Sequence, residues 1–132
     1  MNNWLGRYLP NGSLGPVGFP GDNAYRINVK LSDLNAPPPV QTFVFIDERE
    51  DSINDCVFYV GMGRRGSDAY WIDLPASYHN GAAGLSFADG HAEIKRWRDP
   101  RTMPPLDPNV SPFPSPNNRD VAWMQERATG RR

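Results

Sequence analysis

The chain has 132 residues, which is enough for one domain and little else, and its 14 prolines and 12 glycines make up about a fifth of it. The 14 basic and 15 acidic residues give a net charge of −1, so the overall composition offers no basic excess for binding a nucleic-acid backbone. No apolar run reaches the ~18–20 residues that span a bilayer, and the single cysteine, Cys56, excludes an intrachain disulfide bond and any metal site built from cysteines.

We predict a single α+β domain over residues 1–132, with an antiparallel sheet, long Pro/Gly-rich loops and a short C-terminal helix. Residues 1–39 are expected to be irregular, because turn signals recur in them every few residues. Within this segment the alternation from Tyr25 to Leu31 is typical of a half-buried strand, although a short helix continuing to Leu34 is also compatible with it. The residues that can anchor residues 1–20 to a core are Leu5, Tyr8, Leu9, Val17 and Phe19.

The sheet core is predicted over residues 40–97. Residues 40–46 are almost all β-branched or aromatic, which favours a central strand. Residues 56–60 predict a second strand that holds Cys56 in the core, and residues 69–74 predict a short third one. The acidic run over 47–55 between the first two strands is expected to be a solvated loop partly neutralised by Arg49.

The strongest local signal is a hairpin over residues 85–95. Two alternating runs flank Asp89-Gly90, and this pair favours a two-residue turn with positive φ. Such a turn places Leu85, Phe87, Ala92 and Ile94 on one face. The other face then carries Ser86, Glu93 and Lys95.

The C-terminal third contains a proline-rich strap over 98–116, followed by a helix and tail over 117–132. Seven prolines between Pro100 and Pro116 argue against both a sheet ladder and a helix, because proline has no N–H to donate. Residues 117–120 supply helix N-caps for residues 121–127, in which Val121 and Met124 share a face.

Three residues form the best candidate for a metal site. His79, Asp89 and His91 supply two imidazoles and a carboxylate, which is a ligand set for zinc or iron in a hydrolase. A strand between His79 and Asp89 separates them by ~25 Å unless the loop folds back. We therefore favour a structural reading in which His79 fixes its loop, Asp89-Gly90 makes the turn and His91 is exposed.

Other candidate sites are weaker. The carboxylates over residues 47–55 lack the order of a calcium-binding loop, and Ser77 near His79 and Asp73 lacks the glycine-flanked elbow of a nucleophile. The glycines over 61–66 match a dinucleotide fingerprint only by count, since no helix follows them. Aromatic residues can line a carbohydrate platform, although they more often fill a core; the candidates are Trp4, Tyr70, Trp71, Trp97 and Trp123.

Residues 78–81 and 85–93, with a histidine at 79, nine further residues and then Asp89-Gly90, resemble the prepilin-type processing-associated domain, whose signature is H-x9-D-G. Residues 43–48 and 51–55 are similar to the strand and turn that precede this signature. Residues 115–120 with Trp123 are similar to the tail of the family. The resemblance covers most of residues 40–127.

The resemblance implies a globular head related to type II secretion pseudopilins and type IV pilins, with His79, Asp89 and Gly90 as structural motif residues. Such proteins carry an N-terminal processing site and a long apolar helix that packs into a filament. Neither is found in this sequence, so we expect the chain to be a fragment, a truncated reading frame or a trimmed form. Some major pseudopilins bind calcium, but their metal loop is not matched here.

The sequence therefore favours a non-enzymatic structural head in the cell envelope, outside the cytoplasm. We expect it to contact other pilin-like subunits or secreted cargo and to need no cofactor. Two alternatives stay open: a metal-dependent hydrolase using His79, Asp89 and His91, and a carbohydrate-binding module using Tyr70, Trp71 and Trp97.

Overall fold

The computed structural model describes residues 1–6, 20–110 and 112–132. Its antiparallel strands and one C-terminal helix confirm the predicted α+β class. The predicted anchors Tyr8, Leu9, Val17 and Phe19 lie outside the described residues. The strands are β1 (Phe43–Ile46), β2 (Tyr70–Trp71), β3 (Ala82–Phe87), β4 (Ala92–Arg96) and β5 (Phe113–Pro114), and the helix is α1 (Arg119–Ala128).

A three-stranded sheet with the order β1-β3-β4 carries the hairpin that the sequence predicts. Here β1 is an edge strand, not the central strand we expected, and β3 occupies the centre. The register of β1 against β3 shifts between Phe43 and Phe45, so Phe43 stands opposite Phe87 while Phe45 stands opposite Ser86. This bulge turns Phe43 into the core and leaves Phe45 57% exposed on the outer face.

The β3–β4 turn has three residues instead of the predicted two. Phe87 N–H donates to His91 O at 2.9 Å, and the pairs that follow are Ser86 with Ala92 and Leu85 with Glu93. One extra loop residue shifts the register by one position, which exchanges the faces of β4. Ile94, which we expected beside Leu85 in the core, is therefore 64% exposed on the outer face.

The predicted strand over 56–60 is wrong, because its backbone donors bind acceptors other than a neighbouring strand. Tyr59 N–H donates to the Asp73 carboxylate, Val60 N–H to Asn3 Oδ1 at 3.0 Å and Phe58 N–H to Met1 O at 2.6 Å. Only one isolated bridge, between Phe58 and Asn2, lies in this segment as described. Cys56 is exposed and does not lie in the core.

The alternation over 25–31 does not produce a strand either. Tyr25 forms an isolated bridge with Arg131, and Leu31 begins a single 3-10 turn that ends at Asp33. The Asp33 carboxylate accepts the N–H groups of Val29 and Lys30, each at 2.9 Å, and so terminates the extended run. Val29 and Leu31 are consequently exposed.

The proline-rich strap is mostly irregular, but it includes a 3-10 turn over Pro100–Thr102 and strand β5, both of which the sequence argued against. Proline is compatible with the first turn of a helix, where its missing N–H has no intrahelical acceptor. In β5, Pro114 stands opposite Tyr70, while the N–H of Ser115 makes the neighbouring bond to Ala69 O at 2.8 Å. The ladder therefore needs no donor from proline.

Helix α1 is capped from within the predicted residues 117–120 and packs as predicted, although it begins at Arg119, two residues before the expected start. The side chain of Asn118 caps it by accepting the N–H groups of Asp120 at 2.8 Å and Val121 at 3.3 Å. Val121 and Met124 are both buried. With ten residues, α1 is too short to cross a bilayer, and the described part of the chain contains no longer apolar helix.

The core joins the sheet, α1 and the first residues of the chain. The Asn2 amide nitrogen, fully buried, donates to Phe43 O at 2.9 Å and to Ala128 O at 3.1 Å. Trp97 makes edge-to-face contacts with Trp71 and with Trp123. These contacts fix α1 against the strand–loop segment that follows β4.

Candidate functional site

His79 lies in the loop that leads into β3. This loop is closed by its backbone: Gly81 N–H donates to Ser77 O at 3.0 Å, and His79 N–H donates to Ala82 O at 3.3 Å. Asn80 and Gly81 have φ values of +53° and +75°, which asparagine and glycine adopt more readily than other residues. The Asn-Gly pair at 80–81 was thus a turn signal that our sequence reading did not use.

The imidazole of His79 faces the end of β1. Its Nε2 atom is 3.8 Å from Asp47 Oδ2, too far for a hydrogen bond, and its side chain is 58% exposed. The same Asp47 oxygen accepts the Gly84 N–H at 3.0 Å. The imidazole therefore contributes an exposed contact between the loop and β1, a smaller structural role than the sequence predicted for it.

Asp89 and His91 lie at the opposite end of β3. Asp89 Oδ1 is 2.5 Å from His91 Nδ1 and also accepts the His91 N–H at 3.2 Å. The hydrogen bond from the imidazole is the main cause that lowers the pKa of Asp89 below its ordinary value. The His91 ring stacks on Phe87 with 4.4 Å between ring centroids. His91 is thus part of the turn, with its imidazole bound to Asp89.

The structure does not bring the three candidate metal ligands together. His79 precedes β3 and Asp89 follows it, and a six-residue strand is ~20 Å long. Within the described ranges, no three His, Cys, Asp or Glu residues are grouped so that they can hold a metal ion. The geometry therefore gives no support to the hydrolase alternative.

The acidic loop is more ordered than a solvated segment. Arg49 is only 2% exposed and binds Asp51 through two hydrogen bonds, of 2.9 and 2.6 Å. Asp55 Oδ1 accepts the Val57 N–H at 2.7 Å, and the Glu50 carboxylate accepts the Tyr78 hydroxyl. These carboxylates are occupied by donors of the protein itself and do not surround a common point.

The other weak candidates each have a structural explanation. Asp73 accepts the Tyr59 N–H and His79 faces Asp47, so no triad forms with Ser77. A Cβ at Gly63 would lie 2.0 Å from Pro20 O, which explains a glycine in the 61–66 loop by close backbone contact.

The proposed carbohydrate platform is not accessible. Trp71 and Trp97 are 3% and 4% exposed and contact each other edge to face. The guanidinium of Arg64 covers the Tyr70 ring, with Arg64 Cζ 4.6 Å from the ring centroid. No flat aromatic surface is available from these three residues for stacking a sugar.

A pair of carboxylates, the half-buried Glu48 and the buried Asp73, was missed by the sequence reading. Burial, followed by the nearby negative charge of Asp73, raises the pKa of Glu48 to about 7. Burial also raises the pKa of Asp73 to about 6, although the hydrogen bond from Tyr59 N–H opposes this shift. In the sequence Glu48 is one of several acidic loop residues, and nothing there distinguishes it.

An apolar groove on the outer sheet face was also missed. The outer groove has a volume of about 480 Å³, and its lining includes the exposed Phe45 and Ile94 with Gly84 and Ser86 between them. The bulge in β1 and the three-residue turn together place these two large side chains on that face. Exposed apolar side chains grouped in this way are typical of a protein interaction surface.

No protein-family model, curated protein or solved structure matches this chain. Its function is therefore inferred from the signature residues and from the geometry of its surfaces.

Proposed function

We propose that this chain is the pilin-like, non-enzymatic structural head of a pseudopilin-like protein of the cell envelope, which contacts other pilin-like subunits or secreted cargo. The proposal starts from the H-x9-D-G resemblance of residues 79–90. It places the protein in a type II secretion or type IV pilus-like system, outside the cytoplasm.

The observation that carries the proposal is the position of the signature residues at the two ends of β3. His79 belongs to the loop before this strand, and Asp89 with Gly90 belongs to the turn after it. The nine residues between His79 and Asp89 are the six residues of β3, the two residues before it and the one after it. The signature therefore specifies a strand and its turns, which supports an architectural role.

The outer groove supports the same proposal. The resemblance implies a long apolar helix in proteins of this kind, and such a helix needs an apolar surface on the head. Phe45 and Ile94 are 57% and 64% exposed on one face of the sheet, with Gly84 leaving room between them. We propose that this groove receives the apolar helix of a pseudopilin-like subunit.

Cysteine cross-linking in the native host tests the contact. The native gene product, with Cys56→Ser to remove the exposed thiol, carries either Phe45→Cys or Leu106→Cys. Leu106 is a matched control, because it is 60% exposed but lies on the strap. After the cysteine is labelled with maleimide–benzophenone and irradiated, which inserts into C–H bonds and needs no thiol on the partner, we expect a pilin-like subunit or an apolar helix, identified by mass spectrometry, to be attached at position 45 only.

Two results would contradict the proposal. Equal cross-linking at positions 45 and 106 would mean random collision, and no adduct at position 45 would leave the groove without its proposed occupant. The N-terminus of the native protein, determined by mass spectrometry, gives a second criterion. We expect it to open on an apolar helix created by processing, and a native protein without such a helix would overturn the proposal.

A further inference from the structure

A second groove, of about 470 Å³, runs between β4 and α1 and is rich in positive charge. We call it the basic groove. Four cations and a single carboxylate line it, although the whole chain has more acidic than basic residues. The lining residues are Glu93, Ile94, Lys95, Arg96, Trp97, Arg98, Trp123 and Arg127.

The strand that borders this groove has an unpaired edge. In the order β1-β3-β4 the strand β4 is terminal, as far as the described residues show. Phe87 N–H bonds to His91 O, and Trp97 N–H bonds to Gly81 O, so the odd-numbered residues of β4 turn their backbone groups toward β3. The backbone groups of Ala92 and Ile94 therefore point away from the sheet, where an added strand can pair with them.

Two of the four cations are not neutralised by a carboxylate. The Arg98 guanidinium is exposed and has no acceptor among the described residues. Among the described residues, the Arg96 guanidinium donates only to a backbone carbonyl, Asn80 O, at 3.3 and 3.2 Å. Both side chains retain their positive charge for a ligand.

The buried Asp120 reduces this charge only in part. Its oxygens accept the backbone N–H groups of Arg98 and Asp99 and the Thr102 hydroxyl, at 2.8 to 3.1 Å. Lys95 Nζ lies 3.8 Å from it, too far for a hydrogen bond. Burial is the main cause that lowers the pKa of Lys95 below its ordinary value; Asp120 opposes this shift, and the charges of Arg98 and Arg127 add to it.

The helix side of the groove is held in place by aromatic contacts. Arg127 Cζ lies 4.0 Å from the centroid of the Trp123 ring, and Lys95 Nζ lies 4.9 Å from it. Arg127 Nη1 also donates to Trp123 O at 3.3 Å and pairs with Glu126 Oε2 at 3.4 Å, so this cation is partly neutralised within α1. The Trp97 ring packs edge to face against the Trp123 ring. A 2.8 Å hydrogen bond from the Trp97 indole N–H to Ala76 O holds Trp97 in place.

We propose that the basic groove binds an extended acidic segment of a partner protein, which adds as a strand to the free edge of β4. The backbone of the segment pairs with Ala92 and Ile94. Its carboxylates bind Arg96 and Arg98, and an apolar side chain packs against Ile94 and the edge of Trp123. Backbone pairing along a sheet edge, combined with side-chain contacts in a flanking groove, is an established way of recognising extended peptides.

A short acidic segment fits the charge distribution better than a nucleic acid does. A phosphate backbone carries regular negative charge along its length and gains affinity from a long basic track. This chain has a net charge of −1, and Glu93 lines the groove beside the cations, so a polyanion would not find a long uninterrupted basic track here. A segment that spans only the groove needs no such track.

Fluorescence anisotropy with the full chain tests the proposal. The probe is a fluorescein-labelled peptide of sequence Glu-Leu-Glu-Glu-Leu-Glu, and its neutral counterpart has glutamine for each glutamate. A third peptide keeps the glutamates but carries N-methyl groups on alternate backbone amides, which prevents strand pairing. We expect only the first peptide to bind. Arg98→Gln should weaken the affinity for this peptide about three- to ten-fold, as for a partly exposed charge-assisted pair.

Arg26→Gln is the matched control, because Arg26 is also exposed, has the same charge and lies outside the basic groove. The Arg98 side chain makes no hydrogen bond or ion pair with the described residues, so we expect its variant to keep the fold, which thermal unfolding checks. Equal losses with Arg26→Gln, undiminished binding of the N-methylated peptide, or no binding of the acidic peptide would each overturn the proposal. So would tighter, Arg98-dependent binding of a labelled thymidine oligonucleotide.

The proposal does not depend on the proposed function. Its test uses the purified chain and Arg98 at the β4–α1 groove, whereas the cross-linking experiment uses native cells and Phe45 at the outer groove. Failure of one therefore leaves the result of the other unchanged.

Discussion

Arg49 and Asp51 form a bidentate ion pair that is buried, with side chains only 2% and 6% exposed, in a loop whose sequence looks solvated. The guanidinium also donates to Pro104 O at 2.7 Å and to Pro105 O at 3.2 Å. One arginine therefore fixes the acidic loop and attaches the proline-rich strap to it. The hydrogen bonds from Arg49 are the main cause that lowers the pKa of Asp51.

Replacing Arg49 should destabilise the protein strongly. Arg49→Ala removes the donor of two strap carbonyls and leaves the buried Asp51 carboxylate with the Asp107 N–H, at 3.0 Å, but without its cation. Breaking a buried pair in this way typically costs about 3–5 kcal/mol. Arg49→Lys should retain only part of the stability that Arg49→Ala loses, because an ammonium cannot make the bidentate contact with Asp51. Urea denaturation measures both, with the exposed Arg26→Ala as control. A loss below about 1 kcal/mol for Arg49→Ala would contradict a buried attachment of the strap.

Gly90 should tolerate asparagine but not valine. Its φ is +96°, and a Cβ at this position meets no atom within 4 Å, so the cost of a substitution is the backbone strain alone. We expect Gly90→Val to lower the free energy of unfolding by about 1–3 kcal/mol and Gly90→Asn by clearly less. Urea midpoints provide the comparison. If the two variants were equally stable, the assignment of positive φ at the β3–β4 turn would be wrong.

The two histidines should differ in their contribution to stability. His79 makes one exposed contact at 3.8 Å, so His79→Ala should change the free energy of unfolding by less than about 1 kcal/mol. His91 is bound to Asp89 and stacked on Phe87, so His91→Ala should cost more. Thermal and urea unfolding of both variants measures the difference. The reverse order would restore the loop-fixing role that the sequence predicted for His79.

The free energy of unfolding should fall as the pH rises through the range set by the raised pKa values of Glu48 and Asp73. Their ordinary pKa values of 4.5 for Glu48 and 3.8 for Asp73 are raised to about 7 and about 6 in the folded protein. The folded state therefore holds protons that the unfolded chain has already released. The contribution of these two groups is fully present below the ordinary values and is lost as the pH rises to about 7.

Glu48→Gln tests this dependence, because it removes the titration while keeping a polar side chain. Between about pH 5 and 8 we expect the variant to lose stability less steeply than the parent and to be the more stable protein at the upper end. Glu126→Gln, at a side chain 63% exposed, is the matched control and should leave the slope unchanged. An identical slope for Glu48→Gln and the parent would mean that Glu48 titrates normally.

Much of the fold could be predicted because local chemistry decides it. The β-branched and aromatic run that ends at Ile46, the Asp-Gly turn and the Asn118 cap each depend on residues close in the chain. The predictions failed where a distant acceptor replaced a local partner. The segment over 56–60 has strand-forming residues, but Asp73 and Asn3 bind its N–H groups, and neither is recognisable as an acceptor from the sequence.

The amino-acid sequence by itself determined the antiparallel hairpin, the C-terminal helix and the positions of His79, Asp89 and Gly90 around β3, since turn, cap and periodicity signals act within a few residues. Only the tertiary structure decided which side chains are exposed. Because successive side chains of a strand point to opposite faces, one extra residue in a turn or a bulge exchanges the faces of the residues that follow it. The bulge in β1 placed Phe45 on the outer face, and the extra residue in the β3–β4 turn placed Ile94 there. The two grooves from which we infer binding follow from that placement and from the packing of α1 beside β4, which contacts between residues far apart in the chain determine.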